Sequence, residues 1–99
     1  MNPPLNKRKL KFTIAKRDNG LCRIQGSGCT EKGTELHHIV PRSNPNPWLW
    51  DEKNLCLACN YCHVKYGQWA STRSRLIREL SKEFGYDYSV PPFSSYVDN

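Results

Sequence analysis

Cysteine and histidine are the residues whose types and spacing in this 99-residue chain point most directly to chemistry. Cys59 and Cys62 form a C-x2-C unit, the spacing that lets two thiolates reach one tetrahedral zinc ion from a tight turn. Cys22 and Cys29 form a looser pair, with glycine and serine between them that let the loop fold back. Two such pairs about thirty residues apart make a four-thiolate zinc site a reasonable expectation.

The fifth cysteine, Cys56, leaves the choice of pairs open, because Cys56 and Cys59 also have the C-x2-C spacing. The alternative to a zinc site is that several of these cysteines are buried thiols without a metal. Hydrophobic residues make up 37% of the chain, and so small a core usually needs a structural metal or disulfides. Because an odd number of cysteines argues against a closed disulfide framework, we expect a metal.

The three histidines are His37, His38 and His63, and the last of them directly follows Cys62. Adjacent residues of a strand point to opposite faces, so one histidine of the pair can face a metal while the other faces a substrate. That arrangement suits hydrolysis of a phosphodiester, in which a metal and a base approach one phosphate from different directions. Taken alone, however, an adjacent pair is more often one exposed and one packed histidine.

The surrounding sequence predicts the elements that must position these residues. Residues 8–17 have helical spacing, and the helix is expected to end near Asn19-Gly20. Residues 35–40 predict a short strand, and the proline-rich residues 41–53 predict a loop. From about 69 to 84 the apolar positions recur every three or four residues, which predicts an amphipathic helix.

Charge and hydropathy indicate which partners and which cellular compartment to expect. The net charge is +6, and residues 1–21 contain six basic residues and one acidic residue. Such a segment suits binding of a polyanion, although a solvated tail explains the charge equally well. No run approaches the roughly 20 apolar residues of a membrane span, and the N-terminus lacks the apolar core of a signal peptide. We therefore expect a cytoplasmic protein with reduced cysteines and no membrane partner.

The order of these motifs resembles the HNH endonuclease family, in its zinc-containing branch. The family pattern is a cysteine pair, then [DH]-H-I-x-P, then N-L, then C-x2-C-H. This chain reads Cys22 and Cys29, then His37-His38-Ile39-Val40-Pro41, then Asn54-Leu55, then Cys59-x2-Cys62-His63. The intervals from His38 to Asn54 and from Asn54 to His63 also fit the family, and the resemblance covers about residues 10–67.

The resemblance implies an α+β fold, a small ββα-metal (His-Me finger) domain with a four-cysteine zinc knuckle and flanking helices. A β-hairpin would carry the adjacent histidines, a loop would lead to Asn54, and a short helix would carry His63. We expect a flexible basic arm over residues 1–9, a nuclease domain over 10–85 with its core at 20–67, and a tail over 86–99.

The resemblance also implies a role for each matched residue. His38 takes the position of the general base, and Asn54 that of the residue that braces the loop and orients the base. His37 and His63 take the first and last positions that bind a catalytic divalent ion. Cys56 does not match the pattern and is expected to be a buried thiol. The structural zinc is assigned to Cys22, Cys29, Cys59 and Cys62.

Two positions depart from relatives of the family. In nuclease colicins, whose hairpin the run 35–38 also resembles, another histidine follows the last ligand by one helical turn. Here that place is Gly67, so water or a substrate phosphate must complete the metal shell. Many zinc-knuckle relatives carry a lysine three residues after the final histidine, where this chain has Tyr66 preceded by Lys65.

The function that the resemblance implies is a metal-dependent DNA endonuclease, which nicks or cuts duplex DNA, nicked or branched duplexes included. Its catalytic ion would be Mg²⁺, Mn²⁺ or another transition metal. The residues expected to contact DNA are Lys7, Arg8, Lys9, Lys11, Arg42 and Lys65. One alternative is a non-catalytic zinc DNA-binding module. The other is a phage packaging accessory protein that acts with a terminase or other packaging proteins, since small relatives are common in phages and mobile elements.

Overall fold

The computed structural model describes residues 6–41 and 46–97, and in them two strands form one antiparallel sheet. Three α-helices and two short 3-10 helices accompany the sheet. The elements in chain order are α1 (Lys7–Arg17), β1 (Glu35–His38), a 3-10 helix (Glu52–Asn54), β2 (Leu55–Ala58), α2 (Asn60–Tyr66), α3 (Ala70–Phe84) and a 3-10 helix (Phe93–Tyr96). The α+β class predicted from the sequence is confirmed, and the order β1, β2, α2 is the one expected of a ββα-metal domain.

The register of the sheet separates the two adjacent histidines. His37 lies opposite Cys56, and His38 lies opposite Leu55. Because side chains alternate along a strand, His37 shares one face of the sheet with Cys56, and His38 shares the other with Leu55 and Leu57. His37 is fully buried and His38 is half-buried, so the two histidines meet different surroundings.

Helix α1 covers the face of the sheet that carries His38. Ile14 is fully buried against Leu55 and Leu57, which fixes the helix on β2. The helix begins at Lys7 because the side chain of Asn6 accepts the backbone N–H of Lys9 at 2.9 Å. Residues 7–9, expected in a flexible arm, therefore form the first turn of α1, and residue 6 of that arm caps the helix. Residues 1–5 of the arm lie outside the described residues.

A buried carboxylate ties the end of α1 to the sheet and to the loop that follows. Asp18 is 4% exposed, and it accepts the backbone N–H of Leu57 at 2.9 Å. It also accepts hydrogen bonds from Arg17 at 2.8 Å and Arg23 at 2.7 Å. Breaking a buried ion pair by removing one partner typically costs about 3–5 kcal/mol, so this network makes the packing of α1 on β2 specific.

The larger core lies on the opposite face, between the sheet and α3. Leu76, Ile77 and Leu80 of α3 are buried there, and α3 ends at Gly85, whose φ of 73° is the left-handed conformation typical of a helix C-terminus. Phe93 from the tail over 86–97 is fully buried in the same core, so packing continues past the boundary expected at residue 85. Among the residues that the structure describes, no helix combines the length and apolar character that crossing a membrane requires.

Candidate functional site

Four cysteine thiols form a compact cluster between the loop after α1 and the start of α2. Their sulfur atoms all lie within 4.8 Å of one another, and the sulfurs of Cys29 and Cys59 are 3.9 Å apart. Tetrahedral zinc with Zn–S bonds of about 2.3 Å places its sulfur ligands about 3.8 Å apart, so the cluster has the size that zinc requires. The residues brought together are Cys22, Cys29, Cys59 and Cys62.

Local hydrogen bonds position the two pairs. The Cys59 sulfur caps the N-terminus of α2 and accepts the N–H of Cys62 at 3.4 Å. Cys22 donates its backbone N–H to the carbonyl of Glu31 at 2.7 Å, which closes the loop that carries Cys29. Burial raises the pKa of the Cys59 thiol, but hydrogen bonds from the backbone of Thr30 and Cys62 outweigh it and bring that pKa to about 6. A thiolate is the form that binds a metal.

Cys56 stands apart from the cluster. It lies in β2, is fully buried, and belongs to no group of metal ligands in the described residues. Burial raises the pKa of its thiol far above the ordinary range, with the charge of Asp18 adding to the shift. The thiol therefore stays protonated and behaves as a small apolar core residue.

His37 and His63 form a second candidate metal site. The strand β1 and the helix α2 bring their Nδ1 atoms to 3.0 Å, with the ring planes at 83°. Burial lowers the pKa of His37 to about 3, and the neighbouring charges of His63, His38 and Arg73 add to this effect. The imidazole of His37 is therefore neutral at neutral pH, which is the form that ligates metals.

The donor set of this pair fits a divalent cation with open coordination positions. Two nitrogens about 2.1 Å from one ion are about 3.0 Å apart in octahedral geometry and about 3.4 Å apart in tetrahedral geometry, and the observed separation is 3.0 Å. Among the described residues, the cysteine cluster is the one group of three or more potential ligands, so an ion on the histidine pair would have two protein ligands and positions open to water or substrate.

Packing around Gly67 explains why no side chain is present one helical turn after His63. A Cβ atom at Gly67 would lie 2.8 Å from Cε1 of His37 and 2.5 Å from the backbone oxygen of His63. Both distances are far inside van der Waals contact. Any side chain at this position would push His37 out of place, so the two-histidine set is a consequence of packing and not only of sequence.

The Leu49 carbonyl joins His38 to Asn54. His38 donates from Nδ1 to this oxygen at 2.9 Å, because a carbonyl only accepts hydrogen bonds. The lone pair of the neutral ring is therefore on Nε2. Asn54 is fully buried and donates to the same oxygen at 3.2 Å and to the Val40 carbonyl at 3.0 Å, while its Oδ1 accepts the Val40 N–H at 2.9 Å.

His38 borders an open cavity of about 280 Å³ at the edge of α1. The Trp50 ring packs edge-to-face against the His38 ring, with centroids 4.6 Å apart, and the Lys7 ammonium lies 5.5 Å from the Trp50 ring centroid. The lining residues are Lys7, Lys11, Thr34, Glu35, Leu36, His38 and Trp50. Two of the expected DNA contacts, Lys7 and Lys11, are thus brought to the histidine expected to act as a base.

The other expected DNA contacts lie elsewhere. Arg8 and Lys9 are exposed on α1 and do not line this cavity. Lys65 is exposed on α2 and donates to the Tyr61 hydroxyl at 3.0 Å. Arg42 lies outside the described residues.

One further cation near the candidate metal site is Arg73 of α3, which the sequence had not connected with His37. Its charge contributes to lowering the pKa of His37, and it donates to the hydroxyl of Tyr96 at 3.2 Å. Buried polar atoms normally have partners. The buried side-chain atoms in the described residues that lack one are His37 Nε2, Trp50 Nε1, Arg73 Nε and Ser74 Oγ. Three of these atoms belong to His37 itself, to Trp50 beside His38, and to Arg73, whose charge acts on His37. The tertiary structure brings these residues together from distant parts of the chain.

Comparison with known proteins gives one finding. Residues 21–68 match the family model described as HNH endonuclease. Neither the curated proteins nor the solved structures yielded a match. The matched segment contains the four clustered cysteines, all three histidines and Asn54. An HNH segment indicates a nuclease or nucleic-acid-binding function. The match supports the assignment of residues 21–68 to the HNH endonuclease family.

Proposed function

We propose that this protein is a metal-dependent endonuclease that hydrolyses phosphodiester bonds of duplex DNA, with His38 as the general base. The observation that carries the proposal is the hydrogen bond from His38 Nδ1 to the Leu49 carbonyl. It selects the tautomer whose Nε2 lone pair can accept a proton, while the neighbouring His37 points to the opposite face of the sheet.

His38 acts on the attacking water. Its Nε2 takes a proton as the water oxygen forms a bond to phosphorus, and the bond from phosphorus to the leaving oxygen breaks in line. The imidazolium that forms keeps its Nδ1 hydrogen bond to the Leu49 carbonyl, which becomes stronger with the charge. Asn54 holds that carbonyl in place through its bonds to Leu49 and Val40, so we assign Asn54 a positioning role.

His37 and His63 are the residues that would hold the catalytic ion. A divalent cation bound there supplies charge stabilisation for the crowded phosphorane and for the leaving oxygen. The two imidazoles provide donors of the kind that transition metals prefer, whereas the family often works with Mg²⁺ or Mn²⁺. We therefore expect activity with Mg²⁺, Mn²⁺ or another transition metal.

The cysteine cluster would hold one structural Zn²⁺ with all four thiolates. Two ligands come from the loop after α1, and two flank the start of α2, so zinc would join these segments and fix the helix that carries His63. Structural zinc contributes about 10–16 kcal/mol in zinc-finger peptides, enough to offset a small core.

The basic residues Lys7, Arg8, Lys9, Lys11, Arg42 and Lys65 are the proposed contacts to DNA phosphates. The rival function is a DNA-binding module without catalysis. The arrangement of His38, Leu49 and Asn54 favours the nuclease, because binding alone requires no oriented imidazole. Cooperation with phage packaging proteins in the bacterial cytoplasm, which the resemblance suggests, is compatible with either activity.

A plasmid-nicking assay with a panel of divalent metals tests the proposal. The wild-type protein should convert supercoiled DNA to nicked or linear forms, and His38→Ala should slow cleavage by about 10²–10⁴-fold, the usual contribution of a general base. Unchanged zinc content, circular dichroism and DNA affinity would show that the variant is folded. A zinc-loaded wild-type protein that binds DNA but cuts it with none of the metals would refute the nuclease and support the binding module.

A further inference from the structure

We propose that Lys7 and Lys11 of α1, with Trp50, form a subsite that binds a backbone phosphate of DNA next to His38. This inference rests on the proposed nuclease function and assigns these lysines to the reacting strand. The sequence predicted only that these two lysines contact DNA, without relating them to His38. The structure instead places both lysines in the lining of the cavity that His38 borders.

The cavity is built from three separate parts of the fold. Helix α1 contributes the two lysines, β1 contributes His38 and Glu35, and the turn before the first 3-10 helix contributes Trp50. An opening of about 280 Å³ that is walled on several sides can receive a phosphate and part of a sugar, whereas an isolated surface lysine offers one contact only.

Helical geometry explains why these two lysines share the site. Residues four apart lie on the same face of a helix, so Lys7 and Lys11 project together. Helix α1 is held on the sheet by buried Ile14 and by the Asp18 network. The two ammonium groups are therefore carried by a fixed helix, which lowers the entropy lost when they bind a phosphate.

The charges and surfaces of the lining suit a phosphodiester. The lining contains two lysines and one carboxylate, that of Glu35, so its net charge is positive. An ammonium binds phosphate as a compact point charge. The ring of Trp50, which already lies 5.5 Å from the Lys7 ammonium, offers an apolar wall for a deoxyribose. A phosphate held here would sit beside the base that activates water.

The test compares two double variants that remove the same charge. Lys7→Ala/Lys11→Ala removes the subsite, whereas Lys16→Ala/Lys82→Ala removes two exposed lysines that do not line this cavity. Single-turnover cleavage is measured at saturating protein. We expect the first variant to lose about tenfold or more in the saturated rate, less than the 10²–10³-fold typical of a lost oxyanion donor, and the control to stay within about twofold. Equal losses in both variants would overturn the subsite.

A binding measurement keeps this inference separate from the nuclease proposal. In a Trp48→Phe/Trp69→Phe/His38→Ala background, Trp50 is the only tryptophan, and its fluorescence reports a short DNA duplex entering the cavity. The duplex should change this fluorescence, Lys7→Ala/Lys11→Ala should abolish the change, and Lys16→Ala/Lys82→Ala should preserve it. The same response to inorganic phosphate or a mononucleotide at equal phosphate concentration would contradict a DNA subsite. Failure of wild-type cleavage with this pattern intact would refute the nuclease and leave the subsite standing.

Discussion

The two candidate metal sites of this protein differ in how completely the chain encloses them. The cysteine cluster offers four sulfurs within 4.8 Å of one another, whereas the histidine pair offers two nitrogens 3.0 Å apart. Sites that protein ligands close entirely are structural, and sites that keep positions open are catalytic. One short segment around α2 therefore suits both purposes, because Cys59 and Cys62 begin the helix that carries His63.

The two adjacent histidines also differ in how far the protein encloses them. His37 is fully buried and its pKa is lowered to about 3, whereas His38 borders an open cavity lined by lysines. A strand places neighbouring side chains on opposite faces, so a single step along β1 leads from the buried candidate metal site to an open cavity whose lining includes two lysines.

The largest expected effect on stability is the loss of zinc, which should follow substitution of Cys59 in the cluster but not of Cys56 outside it. Cys59→Ser should abolish tight zinc binding and unfold the domain, because the metal contributes about 10–16 kcal/mol in comparable sites. Cys56→Ser is the matched control, and it should retain zinc while losing about 1–3 kcal/mol of stability from burying an unsatisfied hydroxyl. Elemental analysis and chemical denaturation measure both effects. A folded wild-type protein without zinc would contradict the assignment.

The next effect is the response of cleavage to added metal, which should differ between variants of the proposed ligand His37 and of the proposed base His38. His37→Ala should reduce cleavage by about 10²-fold or more, since the ion supplies several kcal/mol of charge stabilisation. Raising the Mn²⁺ concentration should partly restore the cleavage rate of His37→Ala, because a site with weaker affinity still binds the ion at a higher concentration. His38→Ala should not respond to added metal. Cleavage rates over a metal titration distinguish the two, and identical responses would show that the roles of the two histidines are wrongly divided.

Gly67→Ala should disturb the histidine pair without replacing any proposed ligand, and it should leave the cysteine cluster unchanged. The added methyl meets His37 Cε1, and overpacking of this kind typically costs about 1–3 kcal/mol. We expect zinc content to stay at the wild-type level while the metal concentration needed for half-maximal cleavage rises. Gly85→Ala is a control, because it strains a helix end where the Cβ would meet nothing within 4 Å. Equal metal requirements in both variants would contradict the packing argument.

The last effect concerns pH and the buried histidine. The pKa of His37 is about 3 in the folded protein and about 6.5 in an unfolded chain, so the unfolded state binds a proton first as pH falls. The free energy of unfolding should therefore decrease as pH falls from about 6.5 to about 3, by about 1.4 kcal/mol per pH unit at most. Denaturation at several pH values, without added divalent cations, should show this slope. His37→Gln should flatten it, and equal slopes would argue against a neutral, buried His37.

Most of the local structure and most of the candidate ligands could be predicted from the sequence. The spacing of apolar residues predicted both α1 and α3 with bounds close to those observed, because helix periodicity is a local property. The predicted strand over 35–40 ends at His38 in the structure, where the chain leaves β2 and turns toward Pro41. The tail over 86–99 had no pattern to assign, and yet Phe93 is fully buried.

Other features depended on contacts between distant residues. The Leu49 carbonyl that links His38 to Asn54 is a backbone atom, so no side-chain pattern could reveal it. The place of Lys7 beside His38 depends on how α1 packs, since about thirty residues separate the two in sequence. Spacing alone did not distinguish Cys56 from the clustered cysteines, whereas its position in β2 does.

The amino-acid sequence specifies the chemistry that is present: five thiols, four of which match the two cysteine pairs of the family pattern, three imidazoles, the side-chain amide of Asn54 and a basic N-terminal segment. These features follow from residue type and from spacing along the chain. Which groups meet depends on the tertiary structure, because pairing across β1 and β2 and packing of the helices bring together residues far apart in sequence. That packing closes the cysteine cluster, excludes a side chain at Gly67 and sets two lysines beside His38.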